Sequence, residues 1–425
     1  MKCSNPVPCH ADLRILHYNG IHSVAIDYCG CERVLPKHIQ LLRRGFYPAS
    51  QLNPRTCASF RLLEQLHHLS LTSKASTYDM YRMLEKLTNN TGDPPKSRYR
   101  ALMRMVLQWR HLKLLKRGGR AHDPSGANGT QDGALAIPCP SCPHLGINLP
   151  DDWESAPDAF KFLYAIIYCI DANFRLKNQL VSSFSADPGL GIGMAYMLPC
   201  GAYDRYVLSH ASDSDISTCV GFAALAKANT KFSKGLRFTG VGGVSCGRSE
   251  MLLPNAVGNL QKGERYANMD FIFASSIRHT SASFVNISYD ISCQWYTNLS
   301  RRIAEHWPEE LRPNPRITMI RPLIPKLHEP GHEKVGHEQY SFNFAPGLGL
   351  TDSECPEHIW MGHNALRNAT KMQGPGSQHD ILDDHFNFWN WLKYVGMGMY
   401  SNLLTFILSQ NFRCNSHATL QVSCP

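Results

Sequence analysis

Two aspartates end apolar runs. Asp171 follows the stretch Phe160 to Ile170, and Asp290 follows Phe284-Val-Asn-Ile-Ser-Tyr289. A third acidic group, Asp352-Ser-Glu354-Cys-Pro-Glu357, opens a helical pattern downstream. Carboxylates at two strand ends and on one helix are the donor set that two-metal phosphoryl transfer requires. Mg²⁺ or Mn²⁺ takes oxygen ligands, and a pair of ions clamps the attacking and leaving oxygens of an in-line displacement. The candidate catalytic residues are Asp171, Asp290, Glu354 and Glu357, the first three as metal ligands. An Asp before a helix is also an ordinary N-cap, and glutamates in a first turn complement the helix dipole. Spacing alone leaves both roles open.

The chain holds 15 cysteines. Its opening, Met1-Lys-Cys-Ser-Asn-Pro, is polar rather than a signal core, so the cysteines are expected reduced. Cys9, His22, Cys29 and Cys31 could form one tetrahedral zinc site. The Cys29-x-Cys31 spacing is tighter than the usual two-residue spacer, and reduced cysteines on a hairpin are the alternative. Cys139-x-x-Cys142, flanked by prolines, suits two thiolates of a zinc knuckle that a distant Cys or His would complete. His328 and His332 are a further close pair. Pro330 and Gly331 argue against a helical His-x-x-x-His site, and ordinary surface histidines are the alternative. Gly240-Val-Gly-Gly243 fits no phosphate-loop pattern and reads as a turn.

The elements that must position these groups follow from periodicity. Leu13 to Leu16 and His22 to Tyr28 alternate as strands about Asn19-Gly20. Thr56 to His68, Thr77 to Leu87 and Ser97 to Lys116 carry apolar residues at helical spacing. Gly118 to Gly133 is a Gly/Ser/Asn/Asp-rich linker. Phe160 to Ile170 reads as a buried strand, and Leu180 to Leu236 as an insertion with one helix at Thr218 to Ala228. Phe284 to Tyr289 reads as a strand and Ser292 to His306 as a helix. Thr318 to Leu327 and Tyr340 to Gly349 read as extended. Glu354 to Ala369 and His385 to Tyr394 read as helices.

Composition sets the outer bounds. With 425 residues, 43% hydrophobic and 18% charged, the chain is long enough for two or three domains and is neither disordered nor collagen-like. No apolar run reaches the roughly 20 residues of a membrane span. Net charge is +9 and uneven. Residues 1–150 carry 20 Lys+Arg against 9 Asp+Glu, and residues 151–425 carry 23 against 25. A basic N-terminal third points to a polyanion, with DNA the leading partner. Arg100, Arg104, Arg110, Lys113, Lys116 and Arg117 are the candidate phosphate contacts, the alternative being a solvated helix face.

Several motifs in order resemble the fungal Kyakuja–Dileera–Zisupton (KDZ) transposase family. They are Asp171-Ala-Asn-Phe-Arg-Leu-Lys177, Leu260-Gln-Lys-Gly-Glu-Arg-Tyr-Ala-Asn-Met-Asp270 and Tyr289-Asp-Ile-Ser-Cys-Gln-Trp295. They continue with Pro325-Lys-Leu-His328 and His332, Phe342-Asn-Phe-Ala-Pro-Gly-Leu-Gly-Leu-Thr-Asp352 with Glu354, and Gly374-Pro-Gly-Ser-Gln-His-Asp-Ile-Leu-Asp-Asp-His385 before Trp389-Asn-Trp391. Gly20-Ile-His22, Tyr28-Cys-Gly-Cys31, Leu41-Leu-Arg-Arg-Gly-Phe-Tyr-Pro48 and Pro54-Arg-Thr56 resemble the C-x-C type cysteine cluster fused to such transposases.

The resemblance implies an α/β fold: a ribonuclease H-like core with insertions, preceded by a small α+β cysteine-cluster module and a helical segment. It implies a DDE-type transposase that cuts and joins DNA with Mg²⁺ or Mn²⁺. Asp171 would be the first acid, Asp290 the second and Glu354 the third, with Glu357 the near alternative to Glu354. His328 and His332 resemble a Cys/His pair that related transposases insert between the second and third acids, which would make them metal ligands with Cys293 as a third. Transposon ends, the nucleus and a homo-oligomer follow as expectations. The domains expected are a partial cysteine-cluster module (1–50), a basic helical segment (51–120), a linker (121–138), the core (139–400) and an atypical tail (401–425). Departures are Asn259, where the family pattern has Asp, and Ser249, where it has His after Cys246-Gly-Arg248. A shortened element copy is expected, and the alternative function is a catalytically dead, transposon-derived DNA- or chromatin-binding protein.

Overall fold

Short strands open the N-terminal module: β1 (Pro6–Pro8), β2 (Arg14–His17), β3 (Gly20–Ser23) and β4 (Asp27–Cys29). After α1 (Lys37–Arg43) come β5 (Phe46–Pro48) and β6 (Thr56–Ser59). The computed structural model describes residues 3–31, 35–210, 235–332, 336–349 and 351–418. β1 and β4 form a two-stranded ribbon, and the larger sheet has the order β3-β2-β6-β5. Three helices pack on that sheet: α2 (Phe60–Ser73), α3 (Thr77–Thr88) and α4 (Tyr99–Arg117). Their limits are chemical. The Ser59 hydroxyl accepts from the Leu62 amide at the start of α2, Ser76 and Asp79 form a capping box on α3, and Gly118 follows α4. The helices bury most of the apolar residues at helical spacing, including Leu63 and Leu66, Met80 and Leu84, and Leu102 and Met105, but Leu87 and Leu112 are exposed, and Thr56–Ser59, expected within the first helix, is the strand β6. Pairing of β5 with β6 crosses residue 50, so residues on both sides of that position share one sheet.

The second part is built on a five-stranded sheet. Its elements are β7 (Ile166–Asn173), β8 (Asn178–Gln179), α5 (Cys200–His210), β9 (Leu236–Phe238), β10 (Gly240–Cys246) and β11 (Leu252–Leu260). Then follow α6 (Tyr266–Ile277), β12 (Phe284–Ser288), α7 (Ser292–Trp295), α8 (Leu299–Glu305) and β13 (Met319–Leu323). Last come α9 (Cys355–His363), α10 (Arg367–Thr370) and α11 (Pro375–Ala418). The sheet order is β11-β10-β7-β12-β13. β11, β10 and β7 pair antiparallel, whereas β7, β12 and β13 are parallel. The carboxyl ends of β7, β12 and β13 therefore share one edge, where ligands of α/β sheets commonly bind.

β7 separates two cores by the period of two. Tyr168 and Ile170 join Val244 and Cys246 beneath Met269, Ile272 and Phe273 of α6. Ile167 and Cys169 face the other way, against Phe342 and Cys355. α6 is buried from Ala267 to Ile277, so no polar face marks it in the sequence.

Several expectations are corrected. Asp158–Tyr164 is a 3₁₀ segment, with Phe160, Phe162 and Leu163 exposed, and the strand begins only at Ile166. Gly240 to Gly243 is an interior strand rather than a turn. Its glycines admit neighbours: a Cβ on Gly242 would lie 2.9 Å from Met269 Sδ, and one on Gly243 would lie 3.0 Å from the Trp360 ring. The helix expected from Ser292 to His306 is interrupted by a 3₁₀ turn at Tyr296–Asn298. Turns replace the extended stretch expected from Tyr340 to Gly349. The helix expected from Glu354 to Ala369 is α9, a 3₁₀ turn and part of α10, and His385 to Tyr394 is part of α11. Thr218 to Ala228 lies outside the described residues. Beyond the glycine-rich stretch, the Leu135 amide donates to Met194 O at 2.8 Å, so the end of the expected linker is docked. Among the described residues, no helix is long and apolar enough to cross a membrane.

Candidate active site

Asp171 stands on β7 opposite Gly243, and its carboxylate accepts a hydrogen bond from Trp360 Nε1 at 2.8 Å. Asp290 follows β12, the parallel neighbour of β7. Glu354 immediately precedes α9, and its Oε1 accepts from the Leu327 amide at 2.8 Å. His328, in the loop after β13, lies between the last two acids: Nδ1 is 3.3 Å from Asp290 and Nε2 is 3.9 Å from Glu354. Backbone contacts fix that meeting. The Lys326 amide donates to Asp352 O at 3.1 Å, and the Ser288 hydroxyl donates to Ser353 O at 3.4 Å.

The acids repel one another across a partly enclosed site, in which Asp171, Asp290 and Glu354 are half-buried and Glu357 is exposed. Burial, then the charges of Asp290 and Glu264, hold the Asp171 carboxyl well above the usual carboxylate range, with Glu357 adding to the effect. Burial, then Glu264, Glu354 and Glu357, do the same to Asp290. Burial raises Glu354, against the Leu327 amide and His328. The structure thus brings Asp171, Asp290, Glu354 and Glu357 into one electrostatic group.

It adds an acid that sequence reasoning missed. Glu264 lies between β11 and α6, is raised by burial, and accepts from the Tyr289 hydroxyl at 2.5 Å. The signals for it were its place in the motif Leu260-Gln-Lys-Gly-Glu-Arg-Tyr-Ala-Asn-Met-Asp270 and the charged Glu264-Arg265 pair immediately before a segment with no polar face.

The cysteine and histidine sets are regrouped. Among the described residues, three groups have ligand atoms all within 4.8 Å of one another: Cys3–Cys29–Cys31, Cys139–Cys142–Cys246 and Cys293–His332–His337. These clusters could bind zinc. The acids form no such tight set. Cys9 and His22 do not join Cys29 and Cys31. The Cys9 sulfur accepts from the Ile26 amide at 3.3 Å, and His22 contacts Asn19 Oδ1 at 2.9 Å. The ribbon of β1 and β4 brings up Cys3 instead, 3.6 Å from Cys31. The Ser4 hydroxyl, then the Cys29 and Cys3 thiols, bring the Cys31 thiol down to about 7. Cys139 and Cys142 gain Cys246 as a third thiol. His332 lies 3.7 Å from Cys293, whereas His328 belongs with the acids.

The basic residues of α4 divide. Arg110 is buried and paired with Asp384 at 2.5 Å. Lys113 pairs with Glu64 at 2.6 Å, and Arg117 donates to Asn387. Arg100, Arg104 and Lys116 are exposed, with Arg104 also reaching Ala49 O at 3.3 Å. Of the two departures, Asn259 contacts His379 and the Ser249 hydroxyl lies 3.0 Å from the Cys139 sulfur.

A family model described as Kyakuja-Dileera-Zisupton transposase matches residues 164–390. A model described as a CxC2 like cysteine cluster associated with KDZ transposases matches residues 1–92. No curated protein and no solved structure matches the chain. The first match takes in more than half of the chain and every acid of the group above, and the chain belongs to the Kyakuja–Dileera–Zisupton transposase family.

Proposed function

We propose that the chain is a DDE-type DNA transposase that uses Mg²⁺ or Mn²⁺ to hydrolyse phosphodiester bonds at transposon ends and to transfer the freed strand. The observation that carries this reading is the convergence of Asp171, Asp290 and Glu354, from three separate elements, on the carboxyl edge of the parallel strands. Three antiparallel strands extended by two parallel ones, with the first acid on the central strand, also support a ribonuclease H-like core.

Asp171, Asp290 and Glu354 would hold the ions, with Glu357 on the first turn of α9 as the near alternative to Glu354. Bound ions would supply Lewis-acid stabilisation of the attacking and leaving oxygens. The chain's own groups do the positioning. Trp360 fixes one oxygen of Asp171, His328 spaces Asp290 from Glu354, and the Leu327 amide orients Glu354. Arg100, Arg104 and Lys116 are the cations of α4 left to meet DNA phosphates. Action on transposon ends places the protein in the nucleus, and a homo-oligomer would hold two ends together.

The test is nicking of a labelled duplex by the full chain with Mg²⁺. Cleavage is expected for the wild type and lost in Asp290→Ala. If both proteins bind DNA alike and neither cuts, the chain is a catalytically dead DNA-binding protein instead.

A further inference from the structure

Cys139, Cys142 and Cys246 are all buried, and their sulfurs lie within 4.8 Å of one another. They reach one point by two locally rigid routes. The first two flank a turn closed by the Cys142 amide donating to Cys139 O at 3.3 Å. Asn148 Nδ2 braces that loop by donating to Cys142 O at 2.8 Å and Pro140 O at 3.0 Å. Cys246 is the last residue of β10, in register with Tyr168 of β7. The chain then turns back, with the Glu250 amide donating to Cys246 O at 2.9 Å. Gly247 allows this turn to hug the sheet, since a Cβ there would lie 2.6 Å from Ile167 Cγ2. The turn aims the Arg248 amide at the Cys246 sulfur at 3.4 Å and sets the Ser249 hydroxyl 3.0 Å from the Cys139 sulfur.

We propose that Cys139, Cys142 and Cys246 bind one zinc ion as three thiolates, with an oxygen, from Ser249 or a water it holds, at the fourth corner. The donor set fits the metal. Zn²⁺ takes thiolate sulfur in tetrahedral sites, and the burial of all three cysteines suits a structural role. A backbone amide directed at one sulfur suits a thiolate better than a thiol. Binding displaces three protons, one from each thiol, and leaves the zinc oxidation state unchanged. The site lies on the α6 face of the sheet, away from the acids on the α9 face, so its role is to pin the loop that follows the glycine-rich stretch to β10. Ser249 is the weak corner: a neutral hydroxyl holds zinc less firmly than an imidazole or a fourth thiolate.

The experiment is metal analysis of the full chain purified under reducing conditions, followed by cobalt titration after zinc is stripped. Cys246→Ser is expected to lose one equivalent of zinc, together with part of the thiolate-to-cobalt absorption. Any zinc held by the Cys3–Cys29–Cys31 and Cys293–His332–His337 clusters is expected to stay. Ser249→His is expected to hold that equivalent against a higher chelator concentration than the wild type. Cys246→Ser with an unchanged zinc content and cobalt spectrum would overturn the proposal. So would a disulfide among the three cysteines in the reduced preparation, or a Ser249→His protein no more chelator-resistant than the wild type. The Ser249 variant decides the matter by itself if Cys246→Ser does not fold, and none of these readouts depends on DNA cleavage.

Discussion

Asp171 and Asp290 are raised above the usual range by burial and by neighbouring carboxylates, Glu264 beside both, and this has a consequence for stability. In the unfolded chain an aspartate titrates near its ordinary value of 3.8. Below that value both states are protonated and the acids cost nothing. As pH rises through the interval up to their raised folded values, only the unfolded state ionises, and the metal-free fold loses stability. Mg²⁺ should offset this, since it binds the ionised acids. Thermal melts are expected to show the metal-free protein weakening toward neutral pH and the Mg²⁺-induced rise in Tm growing over the same interval. Asp290→Asn should abolish cleavage yet stabilise the metal-free protein by about 1–2 kcal/mol, the exchange of stability for function seen at strained sites. A variant that is both inactive and less stable without metal would contradict this account of the acids.

At the scale of elements, α9 and β10 are set against each other by one ring. The Trp360 indole lies over Gly243 and donates to Asp171. Trp360→Phe keeps the packing and removes the donor, so cleavage is expected to fall roughly 10–100-fold, as for other outer-shell partners of metal ligands. The melting temperature should change little. Gly243→Ala should act in the same direction by displacing the ring, and kcat measured across a Mg²⁺ titration separates lost affinity from lost alignment.

The same pair shows what the sequence could reveal. Asp171 was legible because an apolar run delivers it, and α2, α3 and α4 because each has a polar face to contrast with its buried one. Gly243 was misread because glycine signals a turn unless the ring that fills its space is known. α6 was missed because burial on every side erases periodicity, and Glu264 went unnoticed with it. Cys246 could not be joined to Cys139 and Cys142 from spacing, because the register of β10 against β7, not sequence distance, brings it there.

Across the whole molecule, the two parts are joined by a charge buried on both sides. Asp384 of α11 has a fully enclosed side chain, with His67 of α2 at 2.9 Å and Arg110 of α4 at 2.5 Å. Burial alone would raise its pKa. The His67 hydrogen bond and the Arg110 charge prevail and hold it below the usual range, so its contribution is present at neutral pH and is lost only in acid. The excess of basic residues in the N-terminal third is therefore partly spent inside the protein. Replacing Arg100, Arg104 or Lys116 by Ala should lower the salt slope of DNA binding by about 1 for each phosphate left without its cation. Replacing Arg110 should instead act on the fold. Asp384→Ala leaves the Arg110 guanidinium enclosed without its counter-ion, at a cost of about 3–5 kcal/mol. Urea unfolding should then move to lower denaturant, and trypsin should cut sooner between Gly118 and Gly133, where the two parts separate. A paired Arg110→Met and Asp384→Leu protein removes both charges and fills their volume, and it should recover most of the loss. Recovery in that double variant, with Asp384→Ala left impaired, would identify the stranded cation rather than the missing carboxylate as the source of the instability. Equal damage in both proteins would mean that the missing carboxylate, with its bonds to His67 and Arg110, is itself what holds the two parts together.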